Sequence, residues 1–142
     1  MKNIINIAVV GLGQVGNYLL NELNTKKKFS FTFTPHLTPM FRGILSTIYV
    51  DLNKSVSIKK LENTLKSQYS KNRFVKILKT NSLLSTNNVI NTNNCSIVIC
   101  KTKYKNRVII LSVIDNLIKG GAGQAIQNMN IKYGFNETKG LI

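Results

Sequence analysis

Three groups of residues have the types and spacing to do chemistry. The first is Gly11-Leu12-Gly13-Gln14-Val15-Gly16, a GxGxxG pattern. An apolar run, Ile4 to Val10, precedes it, and Val15, Tyr18, Leu19 and Leu23 follow on helical spacing. In that context the first glycine permits a tight turn, the second lets a pyrophosphate approach the backbone, and the third lets helix and strand pack closely. The helix N-terminus adds free N–H groups and a positive dipole end. The acid expected roughly 20 residues on, to hold a ribose, is absent: the segment there is Phe33 to His36, and the next acid is Asp51. An NADP site can use an arginine instead, and Arg42 is the candidate. A strand–turn–helix without a ligand is an equal reading.

The second group is His36, the single histidine, with Arg42 nearby. An imidazole can trade a proton near neutral pH, and a guanidinium fork suits a carboxylate or phosphate. A loop histidine with a structural hydrogen bond and an arginine in a surface ion pair are the plainer alternatives. The third group is the two cysteines, Cys95 and Cys100. No CxxC is present, and with one histidine a metal site has no support. Both sit in one apparent strand, five apart, so they point to opposite faces and should not bond to each other. That suits a reducing cytoplasm.

These residues must be positioned by ordinary elements. Phe29 to Thr34 alternates with period two, a strand signal. Pro35 and Pro39 mark a loop, and Ile44 to Leu52 is a β-branched strand. Ser57 can cap a helix with the stripe Ile58, Leu61, Leu65 and Tyr69. Phe74 to Leu78 is a short strand, and Thr80 to Asn94 a polar loop. Ser96 to Cys100 and Arg107 to Ile114 are strands joined by a basic turn, and the apolar run Val108 to Leu111 predicts burial on both faces. Gly120-Gly121-Ala122-Gly123 opens a last helix through about Ile131, and Gly134 fits its stop. The mixture is α/β or α+β.

Composition bounds the function. The chain has 142 residues, of which 43% are hydrophobic, and carries 20 Lys plus Arg against 5 Asp plus Glu, a net charge of +15. It can bury a core. No apolar run approaches the roughly 18 residues that span a membrane, and the N-terminus lacks a signal-peptide cleavage pattern. The charge is mostly scattered Lys, with Arg only at 42, 73 and 107. Phosphate readers usually cluster Arg and interleave aromatics, so a nucleic-acid partner is not expected.

From about Phe31 onward the chain resembles the C-terminal part of N-acetyl-γ-glutamyl-phosphate reductase. The resemblance rests on Phe33-Thr34-Pro35-His36-Leu37-Thr38-Pro39-Met40, on Arg42 to Tyr49, on Asn91 to Cys95, and above all on Ser112 to Asn130. Residues 1–28 resemble the opening of homoserine dehydrogenase instead. The resemblance implies a Rossmann-like strand–helix remnant (1–28) joined to a mixed-sheet α+β domain of semialdehyde-dehydrogenase type (29–142). It implies NADPH-dependent reduction of N-acetyl-γ-glutamyl phosphate to an aldehyde in arginine biosynthesis: a cysteine thiolate displaces phosphate and hydride reduces the thioester. His36 matches the catalytic histidine. Arg42 would face the substrate's carboxylate or phosphate, and Asn116 the nicotinamide end of the cofactor. Gly121 and Gly123 belong to a stretch where the last helix would approach the cofactor, or else simply pack tightly. The family's Asn-Pro-Gly-Cys nucleophile stretch is absent, and neither cysteine takes its place, so this chain is expected to be inactive alone. A homo-oligomer is implied. A non-catalytic dimerisation or docking module is the alternative, and a bare dinucleotide binder using Gly11 to Gly16 a third.

Overall fold

The computed structural model describes residues 5–9 and 34–141. The described chain forms one five-stranded mixed sheet with two helices. The strands are β1 (Ile5–Val9), β2 (Ile44–Asp51), β3 (Val75–Ile77), β4 (Cys95–Lys101) and β5 (Arg107–Ile114). Helix α1 spans Ile58–Tyr69 and α2 spans Gly123–Lys132. The sheet order is β1-β2-β5-β4-β3. Only β3 and β4 run parallel; every other neighbour is antiparallel.

The strands expected at Ile44, Phe74, Ser96 and Arg107 form within a residue or two of their predicted bounds. Their β-branched residues stack across the sheet, as in the row Ile48–Ile110–Ile99. The core sits on β4 and β5: Val98, Ile99, Val108 and Val113 are buried, with Phe74 and Val89 beside them. Successive strand residues face opposite ways, so burial of both Val98 and Ile99 means that the middle of β4 is covered on both faces. β5 departs from expectation. Val108 is buried, but Ile109, Ile110 and Leu111 are only half-buried. The two described helices, of 12 and 10 residues, are about 18 and 15 Å long, too short to cover both faces of five strands.

The expected apolar run before Gly11 does form a strand. It is the edge of this sheet, antiparallel to β2, with Ile7 opposite Ile48. The boundary near residue 28, the glycines Gly11, Gly13 and Gly16, the helix after them and most of the strand from Phe29 lie outside the described residues.

Both helix ends follow local rules. The Ser57 side chain accepts the Lys60 N–H at 3.1 Å and caps α1. Its apolar stripe, Ile58, Leu61, Leu65 and Tyr69, is half-buried. α2 starts at Gly123 rather than Gly120, because Ile118–Ala122 makes a π turn first. It ends in a Schellman motif: Phe135 N–H donates to the Asn130 carbonyl and Gly134 N–H to that of Ile131, with Gly134 at φ 70°.

Candidate functional site

The site lies where β2 begins and β5 ends. Ile44 is paired with Ile114 in the ladder, so the residues just outside the pair, Arg42 and Gly43 on one side, Asp115 and Asn116 on the other, must meet. They do so through two consecutive side-chain contacts. Arg42 Nε lies 2.8 Å from Asp115 Oδ2 as an ion pair. The Asn116 Oδ1 accepts the Gly43 N–H at 2.8 Å.

Asp115 is the hub of this corner. Its carboxylate is fully buried. Oδ1 accepts from the Leu117 and Ile118 N–H groups at 2.8 and 3.0 Å, and Oδ2 accepts from Asn91 N–H at 2.8 Å. Burial by itself pushes the carboxyl pKa up; the donors Ile118, Asn91, Leu117 and Arg42 outweigh it, and Asp115 is held below the usual carboxylate value. It therefore stays ionised and anchors three segments at once. Gly43 completes the corner. Its φ is +115°, and a Cβ there would lie 2.6 Å from the Thr86 side chain, so only glycine fits against the Thr86–Asn88 turn.

A cleft of about 220 Å³ opens above this corner. Its lining includes His36, Met40, Phe41, Arg42, Gly43 and Asn116. Three residues singled out from the sequence thus share one cavity, although Asn116 is far from the other two along the chain. His36 is exposed, and its Nδ1 is 3.1 Å from the Thr34 carbonyl oxygen. A carbonyl only accepts, so Nδ1 carries the proton and the neutral ring keeps its lone pair on Nε2. That nitrogen can take or return a proton. With Nε of Arg42 turned to Asp115, the remaining donors of the fork are on its terminal nitrogens, the arrangement that grips two oxygens of one anion.

The glycines sort differently. Gly123 is buried, and a Cβ on it would lie 2.5 Å from Asn93 Oδ1 and 2.6 Å from Ile118 Cγ2. The protein's own atoms fill the space, so tight helix packing accounts for this glycine. Gly121 is exposed in the π turn, with φ −147° and ψ −117°. Asn116 commits its Oδ1 to the Gly43 N–H.

The cysteines are free and apart from this cleft. Cys95 Sγ lies 3.4 Å from Ser112 Oγ, on β5. Near it runs a buried polar network that the sequence did not disclose. Gln127 Oε1 accepts from Asn93 at 2.9 Å and from Lys119 at 2.6 Å, and Gln127 Nε2 donates to Glu137 at 2.7 Å. Burial lowers the Lys119 pKa, against a smaller raising pull from Cys95 and Glu137. Asn130 holds the Glu137 and Lys139 carbonyls. This network pins the C-terminal segment to α2.

A larger open trough of about 600 Å³ follows α1, but its lining, which includes Lys59, Lys60 and Thr64, has no histidine, cysteine or carboxylate. No group of three or more His, Cys, Asp or Glu among the described residues is placed to hold a metal. No described helix is long and apolar enough to cross a membrane.

The mixed sheet thus brings a histidine, a braced arginine and a side-chain amide to one cleft at its corner. The chain belongs to the family described as semialdehyde dehydrogenase, dimerisation domain, whose sequence pattern matches residues 18–116. It is 51% identical over 115 residues to N-acetyl-gamma-glutamyl-phosphate reductase of Vesicomyosocius okutanii, covering 81% of this chain and 32% of that protein. It is 44% identical over 128 residues to the reductase of the same name from Clostridium botulinum, covering 90% and 37%. The chain thus spans about a third of the length of the curated relatives it matches. Among solved structures, aspartate semialdehyde dehydrogenase II from Vibrio cholerae matches with a TM-score of 0.62 at 12% identity, over 92% of this chain and 55% of that one. That likeness establishes the fold: the mixed sheet is of the semialdehyde dehydrogenase type.

Proposed function

We propose that this chain is the dimerisation-domain part of an N-acetyl-γ-glutamyl-phosphate reductase, and that its cleft holds the anionic end of that substrate. The observation that carries the reading is the shared cleft of His36, Arg42 and Asn116. The reductases named among its relatives support the substrate class. In this reading Arg42 binds the substrate's carboxylate or phosphate oxygens through its terminal nitrogens. His36 Nε2 takes and returns the proton that moves as a thioester carbonyl becomes an aldehyde. Asn116 orients the reacting end with its amide nitrogen. NADPH is the hydride source that the family resemblance implies; the described residues would offer it one amide, and no step is assigned through it. The family's nucleophile stretch does not occur in this sequence, so the chain by itself supplies binding and acid–base groups without the covalent step. Its two free thiols fit a reducing cytoplasmic setting.

Adding N-acetylglutamate semialdehyde should move the NMR signals of the His36 ring and the Asn116 amide together. Signals that stay fixed at saturating ligand sink the reading. The same aldehyde with NADP and phosphate should show no turnover on the purified chain; sustained NADPH production would refute the assignment of inactivity.

A second reading is a pairing module that acts without catalysis, as part of a homo-oligomer. The observation favouring it is an open apolar strip: Tyr49 lies opposite Ile109 in the ladder, Tyr49 is 43% exposed and Ile109 only half-buried. Light scattering separates the two. A monodisperse monomer at all concentrations counts against pairing.

A further inference from the structure

We infer that Asp115 is a positioning residue for the anion cleft: its buried carboxylate, 2.8 Å from Arg42 Nε, fixes the guanidinium as an ion pair, although the buried Nε–H is not aligned for a hydrogen bond, and so turns the terminal nitrogens out as a fork. The inference rests on the cleft reading above and adds to it how the arginine is made selective for a two-oxygen anion. Four observations carry it. Asp115 is fully buried while the Arg42 side chain is 18% exposed, so the pair joins the interior to the cleft wall. The carboxylate is itself immobilised by three backbone N–H groups, two from Leu117 and Ile118 just after it and one from Asn91. The next residue, Asn116, clamps the neighbour of Arg42, Gly43, at 2.8 Å. Gly43 in turn is wedged against Thr86. The arginine's backbone and its Nε are therefore both fixed, and little rotational freedom remains to be lost on binding.

The sign of the effect separates positioning from simple charge. A buried carboxylate next to Arg42 repels an incoming anion, so if Asp115 acted only as a charge, removing it would tighten anion binding. A positioning role gives the opposite result. Asp115→Asn keeps the size and an oxygen acceptor but loses the ion pair.

The experiment follows the Arg42 Nε–H signal in the full chain by NMR while inorganic phosphate is added. In the unaltered chain this hydrogen should exchange slowly with solvent and its signal should shift with phosphate. In Asp115→Asn, exchange should become faster and phosphate should bind about tenfold more weakly as the fork loses its fixed orientation. Asp115→Glu, which restores the charge one methylene away, should recover part of the protection. Phosphate binding in Asp115→Asn that is unchanged or tighter overturns the positioning role and leaves the cleft reading standing. A signal in the unaltered chain that ignores phosphate overturns the cleft reading and the inference with it. Should Asp115→Asn fail to fold, Asp115→Glu decides: weaker phosphate binding with the carboxylate displaced by one methylene supports the inference, and unchanged or tighter binding overturns it.

Discussion

Arg42 and Asp115 approach to 2.8 Å, and the residues that follow them in the chain, Gly43 and Asn116, also meet at 2.8 Å. Two crossed side-chain contacts thus tie the chain together just beyond the last pair of the β2–β5 ladder, Ile44 and Ile114. The corner of the sheet becomes a rigid wall for the cleft.

That wall should respond to acid. The folded chain holds Asp115 below its ordinary value of 3.8, despite burial, through its three backbone donors and Arg42. The stabilisation is complete above the unfolded value and is lost as pH falls through the lower folded one, because the unfolded chain then binds more protons. Urea denaturation over a pH series should show stability declining below about pH 4. Asp115→Asn should flatten that limb and cost about 2–4 kcal/mol at neutral pH. Asp51 titrates in the same window, lowered chiefly by its hydrogen bond to Arg107. That pair is 44% and 40% exposed, so its share should disappear in high salt while that of Asp115 persists.

Gly43→Ala faces two separate penalties: a φ of +115° and a Cβ placed 2.6 Å from Thr86. We expect a loss of about 3 kcal/mol, combining backbone strain and overpacking. Chemical denaturation measures it. A partial recovery in Gly43→Ala combined with Thr86→Ser would assign the steric share to the Thr86 methyl.

Gly123→Ala tests packing at the start of α2. The new methyl would press on Asn93 Oδ1, Ile118 Cγ2 and the Ile118 carbonyl at 2.8 Å or less. Backbone cannot retreat as a flexible side chain can, so a loss of about 1–3 kcal/mol is expected even though alanine favours helix. A melting temperature equal to that of the unaltered chain would show that the helix start relaxes freely.

Ser57→Ala removes the acceptor for Lys60 N–H at the exposed start of α1. The expected cost is about 1 kcal/mol, with Ser57→Asp nearly neutral. Hydrogen exchange of the Lys60 amide reports it locally: it should accelerate in the alanine variant and not in the aspartate one.

Much of this protein was legible in one dimension. β-Branched runs marked β2, β4 and β5, because a pleated, half-buried strand favours those side chains. Ser57 and Gly134 marked helix ends, because capping depends on the local backbone alone. His36 and Arg42 were visible as loop residues able to move a proton and grip an anion. The sequence was silent on Asp115, although it is one of only five acids and follows an apolar strand directly. Nothing local distinguishes a solvated acid after a strand from a buried one. Its role comes from the register that sets Ile44 opposite Ile114 and from the sheet order that puts β5 between β2 and β4. The same holds for Gly123: its place in a glycine-rich stretch does not say that Asn93 and Ile118 lie against it. Periodicity tells a residue which face of its own element it takes. Which distant segment lies across from that face is a property of the folded chain, and here that property turns three scattered residues into one cleft.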